Sequence, residues 1–261
     1  MQKLNHKNIW LLGRTLIIVS IIIAVKLAVH VFGVEFLSIN VLFSGIVAGN
    51  VFLMGFLLSG VMSDYKESEK IPGEIAASLS TIYTECITLF DHKKDEGAQK
   101  GMVVVLSLAE DIQHWFYRKV RTKDLLIRIR NLNHVFYEME KSSHPPFIAR
   151  LKNEMSNLNR IIIRADAIRD TSFTSSGYLI AGSVTFLLCT GLVLSKIEPF
   201  YESLFFVGVI SFLMIFLLLM IDDLDNPFGY NEKYSTEDVS LYSIERVIIE
   251  IRESNSERNI Q

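Results

Sequence analysis

Four long apolar segments constrain this chain more than anything else in it. They lie at about 9–32, 38–62, 175–195 and 200–221. A helix needs about 20 mostly apolar residues to cross a bilayer's hydrocarbon. The last three segments hold a single charge between them, Glu202, near one end. The first holds Arg14 and Lys26. It lacks a small-residue cleavage pattern, and a second apolar segment follows within a few residues, so it reads as a retained span rather than a secretory leader.

Backbone polar groups in hydrocarbon must be satisfied within the segment, which makes each span a helix. The stretch between the two pairs is polar enough for water yet still periodic. Pro72 opens a helix over 72–90, since proline is tolerated in the first turn. Residues 91–101, charged and containing glycines, read as a loop. Further helices are expected over 102–119, 123–141 and 147–170, with a break at Ser142-Ser143-His144-Pro145-Pro146. In 147–170, Ile148, Leu151, Met155, Leu158, Ile162 and Ala165 recur at alternating spacings of three and four, a stripe that buries against another helix. The tail has an amphipathic stretch over 239–252, with Leu241, Ile244, Ile248 and Ile251 on one face.

The expected fold is therefore all-α and polytopic, with four transmembrane helices and a cytoplasmic helical bundle. Its parts are a membrane hairpin (1–62), a cytoplasmic helical region (63–174), a second membrane hairpin (175–221) and a cytoplasmic tail (222–261). Lys and Arg in the flanks set orientation. The connection at 33–36 has Glu35 and no basic residue, whereas Lys3, Lys7 and Arg14 lie toward the amino end. Both termini are expected in the cytoplasm, in a plasma or inner membrane.

Composition and motifs exclude other classes. The net charge of −3 and the lack of a basic stripe with interleaved aromatics give no nucleic-acid signal. Cys86 and Cys189 form neither a metal-type spacing nor a disulfide framework. No Gly-rich phosphate loop, His-Glu-x-x-His or nucleophile elbow is present, so neither an enzyme, a cofactor nor a bound metal is expected.

In the second span Ala48, Phe52, Phe56 and Gly60 recur every four residues and share a face. In a symmetric oligomer that face could form stacked phenylalanine rings, a constriction that gates by drying. The same side chains could instead meet lipid or neighbouring helices. Gly45 and Gly49 form a small-xxx-small pair suited to close helix packing. Lys26 and His30, four apart near the outer end of the first span, could draw anions to an outer mouth, or the lysine could reach for the interface. Asp222, Asp223 and Asp225 could offer oxygens to a hard cation or form a solvated helix end. Asn226, Pro227, Phe228 and Gly229 then turn the chain.

Two stretches resemble the bestrophin superfamily. One is Gly55-Phe56 followed by Asp64-Tyr65-Lys66-Glu67-Ser68-Glu69. The other is Asp222-Asp223-Leu224-Asp225-Asn226-Pro227-Phe228-Gly229, with Glu237-Asp238-Val239-Ser240-Leu241 after it. The order of two spans, a helical block, two spans and a tail is similar as well. The resemblance implies a homopentameric passive ion channel among membrane lipids, passing inorganic ions, chloride among the candidates. It implies a neck at Ala48, Phe52 and Phe56, and a cytoplasmic constriction near Phe173, Thr174 and Ser175. It also implies a structural or gating role for Asp222 to Gly229. The chain departs from the pattern where Tyr230, Asn231, Glu232, Lys233 and Tyr234 replace an acidic calcium clasp, and where Ser63, Asp64 and Tyr65 replace an arginine and paired tryptophans. A non-conducting membrane scaffold is the alternative reading.

Overall fold

The structure, a computed structural model, describes residues 6–170, 175–230 and 238–258. In chain order these residues form α1 (His6–Val31), β1 (Leu37–Ser38), α2 (Val41–Ser68), α3 (Ile71–Lys93), α4 (Glu96–Phe116), α5 (Thr122–Met139), α6 (Pro145–Asp170), α7 (Ser175–Leu194), β2 (Ser195–Lys196), α8 (Phe200–Leu224) and α9 (Tyr242–Glu257). Among the described residues four helical stretches are long and apolar enough to cross a membrane: Trp10–Val31, the run Val41–Lys93 that contains α2, Ser176–Leu194 and Phe200–Leu224. The chain is an all-α integral membrane protein.

Two compact units divide it. The first holds α1, α2 as far as Tyr65, α7, and α8 through Pro227. The second holds α3 to α6, Phe228 to Tyr230, and α9.

In the membrane unit α1, α7 and α8 pack pairwise. Their core includes Val19, Ala181, Leu188, Leu192, Val207 and Met214. The second helix, α2, joins through Met54, Leu57 and Val61. The aromatic ring of Phe43 on α2 lies where α7 carries Gly191, and a Cβ there would stand 2.9 Å from Phe43 Cε2. Glycine at 191 is what lets the ring in.

The helices run past the apolar segments they contain: α2 continues to Ser68, and α8 to Leu224, which takes in Asp222 and Asp223. Polar residues end an apolar segment but do not end a helix, because Asp and Glu cost only tenths of a kcal/mol in helix propensity. α8 ends at Leu224 with Asp225 as its C-cap, and Pro227, two residues on, cannot continue the ladder.

The second unit buries a core of Ile75, Leu79, Ile82, Met102, Ile112, Trp115, Phe116 and Phe136. The α6 stripe is largely inside, with Ile148, Leu151, Leu158, Ile162 and Ala165 buried and Met155 half-buried. So is the α9 face of Ile244, Ile248 and Ile251. Tyr83 donates a 2.7 Å hydrogen bond to Asn255 Oδ1, tying α3 to α9.

The loop expected at 91–101 is a correction. Only the turn around Lys94, at φ 52, separates α3 from α4. Asp95 caps α4 by accepting from the Ala98 amide at 2.7 Å, which fixes the helix start at Glu96. Gly97 and Gly101 are packing residues. A Cβ on Gly101 would lie 2.8 Å from Cys86 Sγ, and one on Gly97 3.1 Å from the Met139 amide nitrogen. Those glycines let α4 approach α3 and α5.

Candidate functional site

The two faces of α2 have opposite environments. At about 100° per residue, Ala48, Phe52 and Phe56 lie on one side of the helix, and Asn50, Met54, Leu57 and Val61 on the other. The second set is buried against the rest of the membrane unit. The first set points away from it: Ala48 is exposed, and Phe52 and Phe56 are 79% and 66% exposed. Gly45, Gly49 and Gly55 meet nothing within 4 Å of where a Cβ would be. Within one chain, then, the small-residue pair does not serve helix packing. It lies open beside the aromatic face.

Asn50 is the polar exception on the inner face, at 3% exposure. Its amide Nδ2 donates to Thr185 Oγ1 on α7 at 3.0 Å and stands 3.7 Å from Met214 Sδ on α8.

A second polar group closes the end of the unit that bears the two short connections. Gly33 ends α1 at φ +66. The Val34 amide bonds back to Val29 O at 3.1 Å, and the Gly33 amide to His30 O at 3.1 Å. That left-handed glycine cap turns the chain back over the helix it has just left. Glu35 is thereby brought to the face of α1 that carries Lys26 and His30, one turn apart. Lys26 Nζ donates to Glu35 Oε1 at 2.6 Å, to Val193 O at 3.2 Å and to Ser195 O. An ammonium has three donors, and all three are used. The Val193 carbonyl belongs to the last turn of α7, where carbonyls lack partners within the helix and cations are favoured. His30 Nδ1 lies 3.0 Å from Glu35 Oε2, and its ring stacks on Phe200 of α8 at 3.6 Å.

Lys26 is fully buried and Glu35 is 8% exposed, whereas His30 keeps 44% of its side chain exposed. Burial alone would raise the Glu35 pKa. Hydrogen bonds from Lys26 and His30, and their charge, outweigh that and hold the carboxyl below its ordinary range. The connections are joined as well, since β1 pairs in parallel with β2, Leu37 opposite Ser195 and Ser38 opposite Lys196. Of the two readings of Lys26, an open cation at an outer mouth and a lysine reaching for the interface, neither describes a side chain with no exposed surface. Its ammonium is enclosed by one carboxylate and two carbonyls, and only His30 of that pair is accessible.

The stretch from Asp222 to Gly229 divides in two. Asp222 is exposed, Asp223, Asp225 and Asn226 are half-buried, and Pro227, Phe228 and Gly229 are buried. Phe228 sits 5.3 Å from Phe116, ring centre to ring centre, within an aromatic group that includes Tyr230. Among the described residues no group of three or more His, Cys, Asp or Glu side chains is placed to hold a metal ion. The three aspartates are not gathered into a cation cage. Phe173 and Thr174 lie outside the described residues, and of Ser175 only the backbone is described, at the first position of α7.

Glu35 and Thr185 were missed by sequence reasoning. For Glu35 a signal existed. A lysine inside an apolar span and one carboxylate in the next short connection are each costly alone in or near hydrocarbon, and each removes the other's cost. Thr185 carries no comparable signal, since a threonine in an apolar helix commonly bonds its own backbone.

No protein-family model matches the sequence, and no curated protein does. Solved structures do match. A bacterial bestrophin homolog from Klebsiella pneumoniae carrying a tyrosine-to-alanine mutation superposes with a TM-score of 0.71 at 15% identity, covering 92% of this chain and 98% of that one. A tryptophan-to-alanine variant from the same source gives 0.72 at 15% identity, covering 95% and 98%. A structure described as a membrane protein, with a glycine-to-alanine mutation, gives 0.74 at 15% identity over 92% and 97%. The helix order, the membrane unit and the helical second unit thus recur over nearly the whole chain, and the protein has a bestrophin-like fold.

Proposed function

We propose that this chain is the subunit of a passive, homo-oligomeric ion channel, with α2 lining a central pore and Ala48, Phe52 and Phe56 forming its hydrophobic neck. The observation that supports it best is the placement of two large aromatic rings, 79% and 66% exposed, on a face of α2 that the described residues of its own chain leave uncovered. A chain with four spans has little room to enclose a water path alone, so conduction requires several copies around an axis. The bestrophin-like fold makes five the expected number. An apolar ring restricts flow by excluding water, and the positive rims of the phenylalanines favour an anion such as chloride over a cation. The termini and the second unit lie on the cytoplasmic side of a plasma or inner membrane in this reading. Asp222 to Gly229 leads the chain out of the last span in this reading, and Phe228 within it is buried.

Purified protein in liposomes should pass ions down a gradient. Phe52→Ala with Phe56→Ala should raise that flux several-fold, because a wider neck wets more readily. No flux from correctly inserted protein would instead favour a membrane scaffold. Unchanged flux in the double variant would remove the neck from these residues.

A further inference from the structure

We propose that Asn50 is a positioning residue for the neck: its hydrogen bond to Thr185 sets the rotation of α2 that turns Ala48, Phe52 and Phe56 outward. This rests on α2 being the pore-lining helix.

Two kinds of contact hold α2 at one angle inside a membrane. Met54, Leu57 and Val61 bury the inner face of α2. Lipid tails are as apolar as those side chains, so such contacts discriminate weakly between angles. A primary amide behaves differently. In hydrocarbon an unpaired amide is penalised by several kcal/mol, and its partner must lie in a defined direction. Asn50 has that partner, Thr185 Oγ1 at 3.0 Å. Thr185 is itself 4% exposed, so the bond is shielded from water. Asn50 Oδ1 has no partner among the described residues, which leaves Nδ2 as the directional group.

Geometry ties this bond to the neck. Asn50 is two residues from both Ala48 and Phe52, which puts it about 200° around the helix from each. Turning α2 by one residue's angle would carry the amide out of reach of Thr185 and swing Phe52 away from its present direction. The contact of Phe43 with Gly191 fixes the far end of the helix by shape. Asn50 fixes the middle, beside the aromatic rings.

The test uses the full-length assembly in liposomes with Phe52→Cys and a charged, membrane-impermeant methanethiosulfonate. Both native cysteines are buried, and the parent without Phe52→Cys measures their background. With Asn50 intact, Cys at 52 should react and the reaction should change ion flux. Adding Asn50→Leu, or the shape-preserving Thr185→Val, should slow labelling roughly 3- to 20-fold, the range set by measured interhelical hydrogen bonds in membranes. Labelling at Val51→Cys or Leu53→Cys should rise in step. Exchanging the partners, Asn50→Thr with Thr185→Asn, should restore labelling at 52, which a general packing defect would not do. Thr185→Val keeps the test alive should Asn50→Leu fail to assemble. If Cys at 52 never reacts, the pore-lining reading itself falls. If it reacts at the same rate in both single variants, the neck stands and the role of Asn50 is overturned.

Discussion

The ammonium of Lys26, with no exposed surface, stands 2.6 Å from the carboxylate of Glu35, which is 8% exposed. The pair joins α1 to the connection that follows it, and through Val193 O and Ser195 O to the end of α7. Removing one partner leaves the other charge buried and uncompensated, which typically costs about 3–5 kcal/mol. Lys26→Met and Glu35→Gln should each lower the unfolding temperature in detergent markedly. The double variant should lose less than the two single losses added together, because neither charge is then stranded. Strict additivity would show that the two side chains do not act as a pair.

The same carboxylate gives a pH dependence with a definite sign. The folded-state pKa of Glu35 is depressed. Its contribution is therefore fully present above the ordinary carboxylate pKa and is lost as pH falls through the lower, folded value. Acidifying from neutral to below the carboxylate range should reduce thermal stability, and Glu35→Gln should flatten that part of the profile. An identical acid limb in the variant would assign the loss to other groups.

Gly101 offers a test of packing in the second unit. Alanine is favoured over glycine in a helix by about 1 kcal/mol. A Cβ at this position would stand 2.8 Å from Cys86 Sγ and 3.3 Å from Val135 Cγ1. Overpacking of that kind costs about 1–3 kcal/mol, so Gly101→Ala should destabilise on balance. Cys86→Ala removes the crowding sulfur, and the Cys86→Ala, Gly101→Ala pair should recover part of the loss. A stabilised single variant would mean that α3 and α4 separate freely.

Pro227 to Gly229 and the aspartates before them should respond differently to substitution. Phe228 is 1% exposed and packs on Phe116. Phe228→Ala should cost about 3–5 kcal/mol. Asp222 is exposed, and Asp222→Asn should stay within about 0.5 kcal/mol of the parent. Chemical denaturation in detergent reads both. The reverse ranking would place the structural weight on the charge rather than on the ring.

The parts of the fold that were legible in sequence are those with a repeating signal. Four apolar runs gave four spanning helices, and the three-four stripe of α6 placed Ile148, Leu151, Leu158, Ile162 and Ala165 inside. Single residues whose meaning depends on a distant partner were not legible. Gly97 and Gly101 look like loop glycines until Cys86 and Met139 are seen beside them. Lys26 reads as an open cation or as a lysine reaching for the interface until Glu35 is seen folded back onto it. The two-residue pairing of β1 with β2 joins positions 158 apart in the chain and has no local signature. That Ala48, Phe52 and Phe56 share a face of α2 was visible from periodicity; that the rest of the membrane unit leaves the two rings exposed was not. What they face is a property of the assembly and not of one chain.

That last property is the central claim, and the structure of the purified assembly in a bilayer mimetic addresses it directly. The account predicts five copies around an open axis, with the Phe52 and Phe56 rings of every copy directed toward that axis. A monomer, or an assembly with those rings turned to lipid, would contradict it.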